Sequence, residues 1–302
     1  MPKQKLLFII NPIAGFRRDK SGIVDFIRLF FRSEEFDVAT TSGRGDATHL
    51  AREATKQDYG TVVAVGGDGT VNEVASGLVG SDTALGIIPR GSGNGLARGL
   101  GIPMRSEGAF KVLSQGVART IDAGSAAHRC FFAVAGVGFD AAVGKKFNSA
   151  TWRGPVPYFW IAAREFVSYQ PEPLKIDFDE QHLESSPFLL TVANTKQYGN
   201  GAIIAPHAQP DDGLLDMCLV NPFKLWNAMI YVPKLFNGTI DSAPVVSYRR
   251  AKTIEIQKPG PILFHVDGEA ETCEDSLRIS IIPNALKVVA PSSSANMSSH
   301  AN

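Results

Sequence analysis

The stretch Val62-Val-Ala-Val-Gly-Gly-Asp-Gly-Thr-Val-Asn-Glu73 decides how this chain is read. Four apolar residues predict a buried strand, three glycines surround one aspartate, and Thr70 opens an apolar-patterned helix. Backbone free of Cβ atoms, a carboxylate and a helix N-terminus therefore meet at one point. Exposed N–H groups and the positive end of a helix suit phosphate, and a carboxylate suits the magnesium that travels with it. Thr70 and Glu73 also have the S/T-x-x-E spacing of a capping box. That box explains a helix start, but not Gly66, Gly67 and Gly69 together around Asp68. The expectation is a nucleoside-triphosphate site.

Outward from this motif, strand and helix alternate. Strands are predicted at Lys5–Ile10, Phe36–Thr41, Thr61–Val65 and Ala84–Ile88, and helices at Lys20–Phe31, Ala47–Lys56, Val71–Val79 and Met104–Ser114. This βαβα rhythm predicts a parallel sheet covered on both faces, with ligands at the C-terminal ends of its strands. Three more small-residue loops fall at those ends. Asn11-Pro-Ile-Ala-Gly15 follows the first strand and allows close backbone approach. Thr41-Ser-Gly-Arg-Gly-Asp-Ala47 follows the second, with Asp46 placed to cap the next helix. Pro89-Arg-Gly-Ser-Gly-Asn-Gly-Leu-Ala-Arg98 follows the fourth and forms a second phosphate-sized loop. Their convergence on one sheet edge carries more weight than any one of them.

After about Asp122 the pattern changes. Strands are predicted at Arg129–Ala135, Leu174–Phe178, Phe188–Asn194, Leu214–Val220, Thr253–Gln257, Ile262–Val266, Leu277–Ile282 and Leu286–Val289. Only two helices interrupt them, Val156–Val167 and Pro222–Phe236, the latter with Asn221 as N-cap. Many strands with few helices predict an antiparallel sandwich or barrel. The expected organisation is an α/β domain over 1-122, a β-rich domain over 123-290 with a cleft between the two, and a Ser/Asn-rich, disordered tail over 291-302.

In the second domain, Asp211-Asp-Gly-Leu-Leu-Asp216 reads either as a plain Asp-Gly turn or as a carboxylate cluster for a hard cation. Phe264-His-Val-Asp-Gly-Glu269 reads either as a solvated hairpin turn or as carboxylates placed to take a proton from an attacking hydroxyl. His265 alternates with apolar positions and reads as a sheet residue. Tyr158, Phe159, Trp160, Phe166, Phe223, Trp226, Tyr231 and Phe236 crowd the two helices. They suit either a core or, helped by Lys145, Lys146, Lys224 and Lys234, an acyl-chain cleft or bilayer surface.

Composition excludes several classes. At 302 residues a single core is near its ceiling, in keeping with two domains. Thirty basic and thirty acidic residues cancel, against a nucleic-acid binder held by bulk charge. The six histidines do not cluster, which argues against zinc. Cys130, Cys218 and Cys273 lack metal-type spacing and fit a reducing cytoplasm. The apolar run before Asn11 is too short for a signal peptide, and no segment is long enough to span a bilayer.

The order NPxxG, TxxxGD, GGDGTVNEV, GSGN, AGVGFDA (Ala135–Ala141), DDGLLD and VDGE resembles the diacylglycerol-kinase catalytic family, which includes bacterial lipid kinases and sphingosine kinases. The resemblance spans roughly residues 5–290. It implies an N-terminal parallel-sheet α/β domain like that of NAD kinases and phosphofructokinases, and a C-terminal antiparallel β-sandwich. It implies transfer of the γ-phosphoryl of ATP, with Mg²⁺, to a lipid hydroxyl. Nucleotide contacts would fall on Asn11, Pro12, Ile13, Ala14, Gly15, Thr41, Gly67, Asp68, Gly69, Thr70, Val71, Asn72, Glu73 and Ser92. A structural magnesium would use Asp212 with backbone oxygens of Gln209 and Leu214. Asp68 and Asp122 would position the catalytic magnesium through water. Glu269 would be the catalytic acceptor, with Asp267 close by. The chain has Asn94-Gly95 where many bacterial diacylglycerol kinases have Asn-Asp, and here it looks more like the sphingosine kinases. GGDGT is shared with NAD kinases, so a kinase of a small soluble substrate is one alternative and a non-catalytic lipid or nucleotide binder another. The implied partners are ATP, a lipid and the inner membrane surface reached peripherally from the cytoplasm, with no nucleic acid; a homodimer is compatible.

Overall fold

Strand β1, Lys5–Ile10, is buried along almost its whole length and paired on both edges, as a central strand of a sheet covered on both faces. The computed structural model describes residues 5–14, 21–32, 34–149 and 155–292. The chain divides into two compact units, one running to Ile121 and resuming at Asn284, the other Asp122–Pro283.

In the first unit β1 lies between β2 (Phe36–Thr40) and β3 (Tyr59–Gly66), and β3 pairs in turn with β4 (Ala84–Pro89), all parallel. The connecting helices are α1 (Ser21–Phe30), α2 (Asp46–Ala54), α3 (Asp68–Leu78), the short α4 (Gly95–Gly99) and α5 (Ser106–Gln115). Continuous apolar strands such as Val62–Val65 are what a sheet covered on both faces requires. Phe8, Phe31 and Phe110 form the aromatic centre of one side. Helices α2 and α3 pack closely at Gly77, where a Cβ would lie 2.7 Å from the Ala51 side chain and from the Thr48 carbonyl.

The remaining elements follow in chain order: β5 (Val117–Ala126), β6 (Arg129–Phe131), β7 (Val134–Gly138), α6 (Phe139–Ser149), α7 (Pro155–Ser168), β8 (Leu174–Phe178), β9 (Gln181–Ser185) and β10 (Leu189–Ala193). Then come a small β11–β12 pair (Gln197–Gly199, Ala202–Ile203), β13 (Leu215–Val220), α8 (Ala228–Asn237), β14 (Val246–Ala251), β15 (Thr253–Gln257), β16 (Ile262–Val266), β17 (Glu269–Cys273) and β18 (Ser276–Ala290). One antiparallel sheet of the second unit runs β14-β13-β10-β7-β16-β17. Opposite it, β15 pairs antiparallel with β8 and with the first half of β18, and β8 pairs with β9. Alternate residues of both sheets, among them Leu190, Met217, Phe264, Ile176, Ile256 and Ile279, fill one sandwich core.

The two fold classes are those predicted, with local corrections. Residues 284–290, expected in the second domain, belong to the first unit: Leu277–Ile282 and Leu286–Val289 are one strand, and Val288 sits beside Leu85 in parallel. The expected strand Arg129–Ala135 is two strands, β6 and β7, and helix α6 was not anticipated. The second helix begins at Ala228 after a 3-10 turn over Leu225–Asn227, so Asn221 is not its cap; the Asn221 amide bonds to the Val245 carbonyl. Most of the expected tail, from residue 293, lies outside the described residues. Among the described residues no helix is long and apolar enough to cross a membrane.

Candidate active site

Helix α3 organises the loops at the C-terminal ends of β1 to β4 through three polar side chains of the glycine motif. The Asp68 carboxylate accepts the Asn94 amide at 2.8 Å and the Gly95 amide at 2.6 Å, which fixes the loop after β4. Thr70 Oγ1 accepts from the Asn11 side-chain amide at 3.0 Å, which fixes the loop after β1. Glu73 accepts the Gly45 amide at 2.8 Å and the Ala47 amide at 3.2 Å, which fixes the loop after β2 and caps α2.

These contacts overturn two local expectations. Thr70 and Glu73 do not form a capping box, because α3 starts at Asp68 with Gly67 as N-cap and Glu73 reaches a different helix. Asp46 does not cap α2 either. It is the first helical residue, and its carboxylate takes the Ser42 amide and hydroxyl, which hold it below the usual carboxylate range.

The N-cap of α3 is Gly67, which has no side chain to offer its first amides. There Gly67 and Gly91 bring two loops together: a Cβ on Gly91 would lie 2.7 Å from the Gly67 Cα. Asn94, in the left-handed conformation, closes the second loop by accepting from the Gly91 amide at 3.0 Å and donating to its carbonyl at 2.7 Å. A cavity of about 320 Å³ opens here, lined by residues that include Arg90, Ser92, Asn94, Arg98 and Ser106. The structure therefore gathers Asn11, Asp68, Thr70, Glu73 and the loop around Ser92 into one hydrogen-bonded assembly. Pro12, Ile13 and Ala14 lie on the loop that Asn11 begins, with Ile13 exposed. Thr41 follows β2, its amide bonded to the Ile10 carbonyl. Gly69, Val71 and Asn72 lie in α3, with Val71 and Asn72 buried. Gly15 lies outside the described residues.

In the second unit, Val266 pairs with Glu269 across the two-residue turn Asp267-Gly268, both at positive φ, as a tight hairpin demands. The turn is not solvated in the simple sense. Asp267 accepts the amides of Phe132, Ala133 and Val134, each at 3.0 Å, and so binds the hairpin to the β6–β7 connection. Glu269 opens β17, half-buried, with Oε2 3.0 Å from an Arg129 nitrogen; Arg129 also holds Glu271 at 2.6 Å. Arg129 had no signal in the sequence, since it lies 140 residues from Glu269. Asp140 of α6 is buried and meets Tyr198 and, at 3.0 Å, His265. His265 is a sheet residue, as its alternation predicted.

Asp122 is buried, and its carboxylate accepts the Gly213 amide at 2.8 Å, stapling the Asp211-Asp212-Gly213 turn. Asp212 accepts from Leu214 N at 3.1 Å and from Arg250 at 2.5 Å. A cation on Asp212, with backbone oxygens of Gln209 and Leu214, would share the carboxylate with the Arg250 guanidinium, which holds Oδ2 while Oδ1 takes one amide. Among the described residues no three His, Cys, Asp or Glu side chains group as a cation site. Magnesium carried in on a nucleotide asks less, since phosphates and waters supply most of its ligands. Asp216, beside Arg250, is buried, and burial pushes its carboxyl above the usual range.

Comparison with known proteins decides the family. Residues 5–126 match the diacylglycerol kinase catalytic domain, and residues 133–290 match the YegS C-terminal NAD kinase beta sandwich-like domain. The chain belongs to the diacylglycerol kinase catalytic family. It is 31% identical to a diacylglycerol kinase of Mycobacterium tuberculosis over 95% of each chain. It is 33% identical to the "Probable lipid kinase YegS-like" of Chromohalobacter salexigens over 86% of each. A solved diacylglycerol kinase of Bacillus anthracis shares the fold at a TM-score of 0.72 and 22% identity, covering 96% of this chain and 98% of that one. Membership in this lipid-kinase family makes the chain a kinase.

Proposed function

We propose that this kinase transfers the γ-phosphoryl group of ATP to the hydroxyl of a lipid. The observation that carries the donor half is the assembly around α3: a helix N-terminus led by Gly67, two glycine loops in contact, and Asp68, Thr70 and Glu73 each fixing one neighbouring loop. Phosphoryl transfer asks a protein mainly for positioning and for stabilisation of charge on phosphoryl oxygens. Backbone N–H groups at the start of α3 and at residues 92–93 of the second glycine loop would supply both. Magnesium bound to the nucleotide would add neutralising charge.

Glu269 is the residue proposed to take the proton of the attacking hydroxyl. Its pairing with Arg129 holds the side chain in one orientation, and Asp267 acts by fixing the hairpin on which Glu269 stands. The lipid acceptor rests on the relatives' names. Gly95, whose amide is bonded to Asp68, leaves open which lipid is accepted.

The test is transfer from γ-labelled ATP to diacylglycerol, phosphatidylglycerol, sphingoid base, ceramide and monoacylglycerol in detergent micelles, with NAD as a soluble acceptor. Labelled lipid is the expected product; label on NAD alone, or none at all, would overturn the proposal. Glu269→Gln should lower turnover by ~10²–10⁴, the scale of a general base, and leave ATP affinity nearly unchanged. Undiminished turnover in that variant removes Glu269 from the chemistry.

A further inference from the structure

The segment from Leu225 to Asn237 is apolar on its outward side as well as its inward one. A surface helix normally turns apolar residues inward and polar ones to water. Here Ala228, Tyr231, Lys234 and Leu235 face inward: Tyr231 meets Phe223 at 5.3 Å, Leu235 packs on a satellite core, and Lys234 donates to Ser242. The outward side presents Leu225, Trp226, Met229, Ile230, Val232 and Phe236, with Met229 82% and Trp226 64% exposed. No residue of α8 is buried. The aromatic residues of the two helices therefore divide. Phe166 and Phe223 pack together at 5.3 Å, while Trp160, Trp226 and Phe236 stand in solvent. The side chains of Tyr158 and Phe159 lie outside the described residues.

We propose that this face docks on the surface of a lipid bilayer containing anionic headgroups, lying in the interface rather than crossing it. The proposal rests on the lipid-acceptor reading above and assigns the surface through which such an acceptor is approached. Residues 221–240 hold no acidic residue, and of their two lysines Lys224 is exposed, which matches the charge of an anionic surface. Lys224 lies over the Trp226 ring at 4.9 Å, an aromatic–cation pair suited to headgroup depth. The ten residues of α8 reach only about 15 Å, short of a span but enough for an interfacial helix. The exposed apolar arc covers roughly 160° at about 100° per residue. A helical seam with a second copy of the chain would use a narrower stripe of two positions in seven.

The experiment is co-sedimentation of the full chain with vesicles of phosphatidylcholine containing increasing phosphatidylglycerol, comparing the parent with Met229→Glu/Ile230→Glu. We expect the double variant to bind at least about 100-fold more weakly, from the lost burial of two large apolar side chains. Parent binding should tighten about fivefold for each basic residue brought near the anionic surface. In the parent, brominated lipids should quench fluorescence that Trp226→Phe removes, a readout that does not depend on the double variant folding. Vesicle binding unchanged by the double substitution, a parent that ignores vesicles, or a parent dimer that the substitution dissociates without affecting vesicle binding would each overturn the proposal. The kinase reading fails separately: a chain that phosphorylates lipid in micelles but ignores vesicles loses only the docking surface. One that binds vesicles but phosphorylates nothing loses the activity.

Discussion

Asp68→Asn tests whether the aspartate of the glycine motif holds the architecture of its site as well as contributing its charge. The parent carboxylate accepts two backbone amides, those of Asn94 and Gly95. An asparagine keeps one acceptor oxygen and turns an NH₂ group toward the other donor. One hydrogen bond to a charged group is lost, about 1.5–3 kcal/mol. At about 2–4 °C per kcal/mol, scanning calorimetry without nucleotide should record a melting temperature lower by about 3–12 °C. Turnover should fall with it, since residues 91–95 lose their anchor. Gly93→Ala supplies a second route to the same contact, because its Cβ would sit 2.6 Å from the Asp68 Oδ2. In an Asp68→Ala background that clash is absent, so the double variant should cost less than the sum of the singles by about 1 kcal/mol or more. If Asp68→Asn melts with the parent, and Gly93→Ala adds independently, the clamp does not exist and Asp68 acts through charge alone.

Two further outcomes separate framework from chemistry in the second unit. Asp267→Asn should lower the melting temperature as well as turnover, because at least one of three backbone amides loses a charged acceptor worth about 1.5–3 kcal/mol; a turnover defect at unchanged stability would contradict this. Asp216→Asn should stabilise the protein at pH 7. Burial raises the folded-state pKa of Asp216, so the folded chain binds its proton more tightly and stability falls as pH rises above the unfolded carboxylate value, about 3.9. Thermal melts should show the gain vanishing below that pH, and a loss at pH 7 would mean that the Arg250 contact outweighs desolvation.

The sequence by itself determined the alternation of strand and helix in the first unit, the strand-rich character of the second, and the glycine loops at the strand ends. Buried parallel strands must be continuously apolar and sandwich strands must alternate, so Val62–Val65 and Thr253–Gln257 could be placed from pattern alone. Glycine-rich turns at strand ends are likewise local, and GGDGT and GSGN were legible for that reason. What each polar residue of the motif does was not legible. Glu73 has capping-box spacing to Thr70, yet its carboxylate goes to Gly45 and Ala47, because the packing of α2 on α3 at Gly77 brings a nearer set of unsatisfied amides. Asp267 looked like a possible proton acceptor, but three amides over 130 residues away in sequence claim it. Arg129 and Glu269 meet only through strand pairing. The apolar residues of Leu225–Asn237 had helical spacing whether they faced a core or water. Only the tertiary structure decided which side of that helix was covered, because periodicity records that a face exists and not what lies against it.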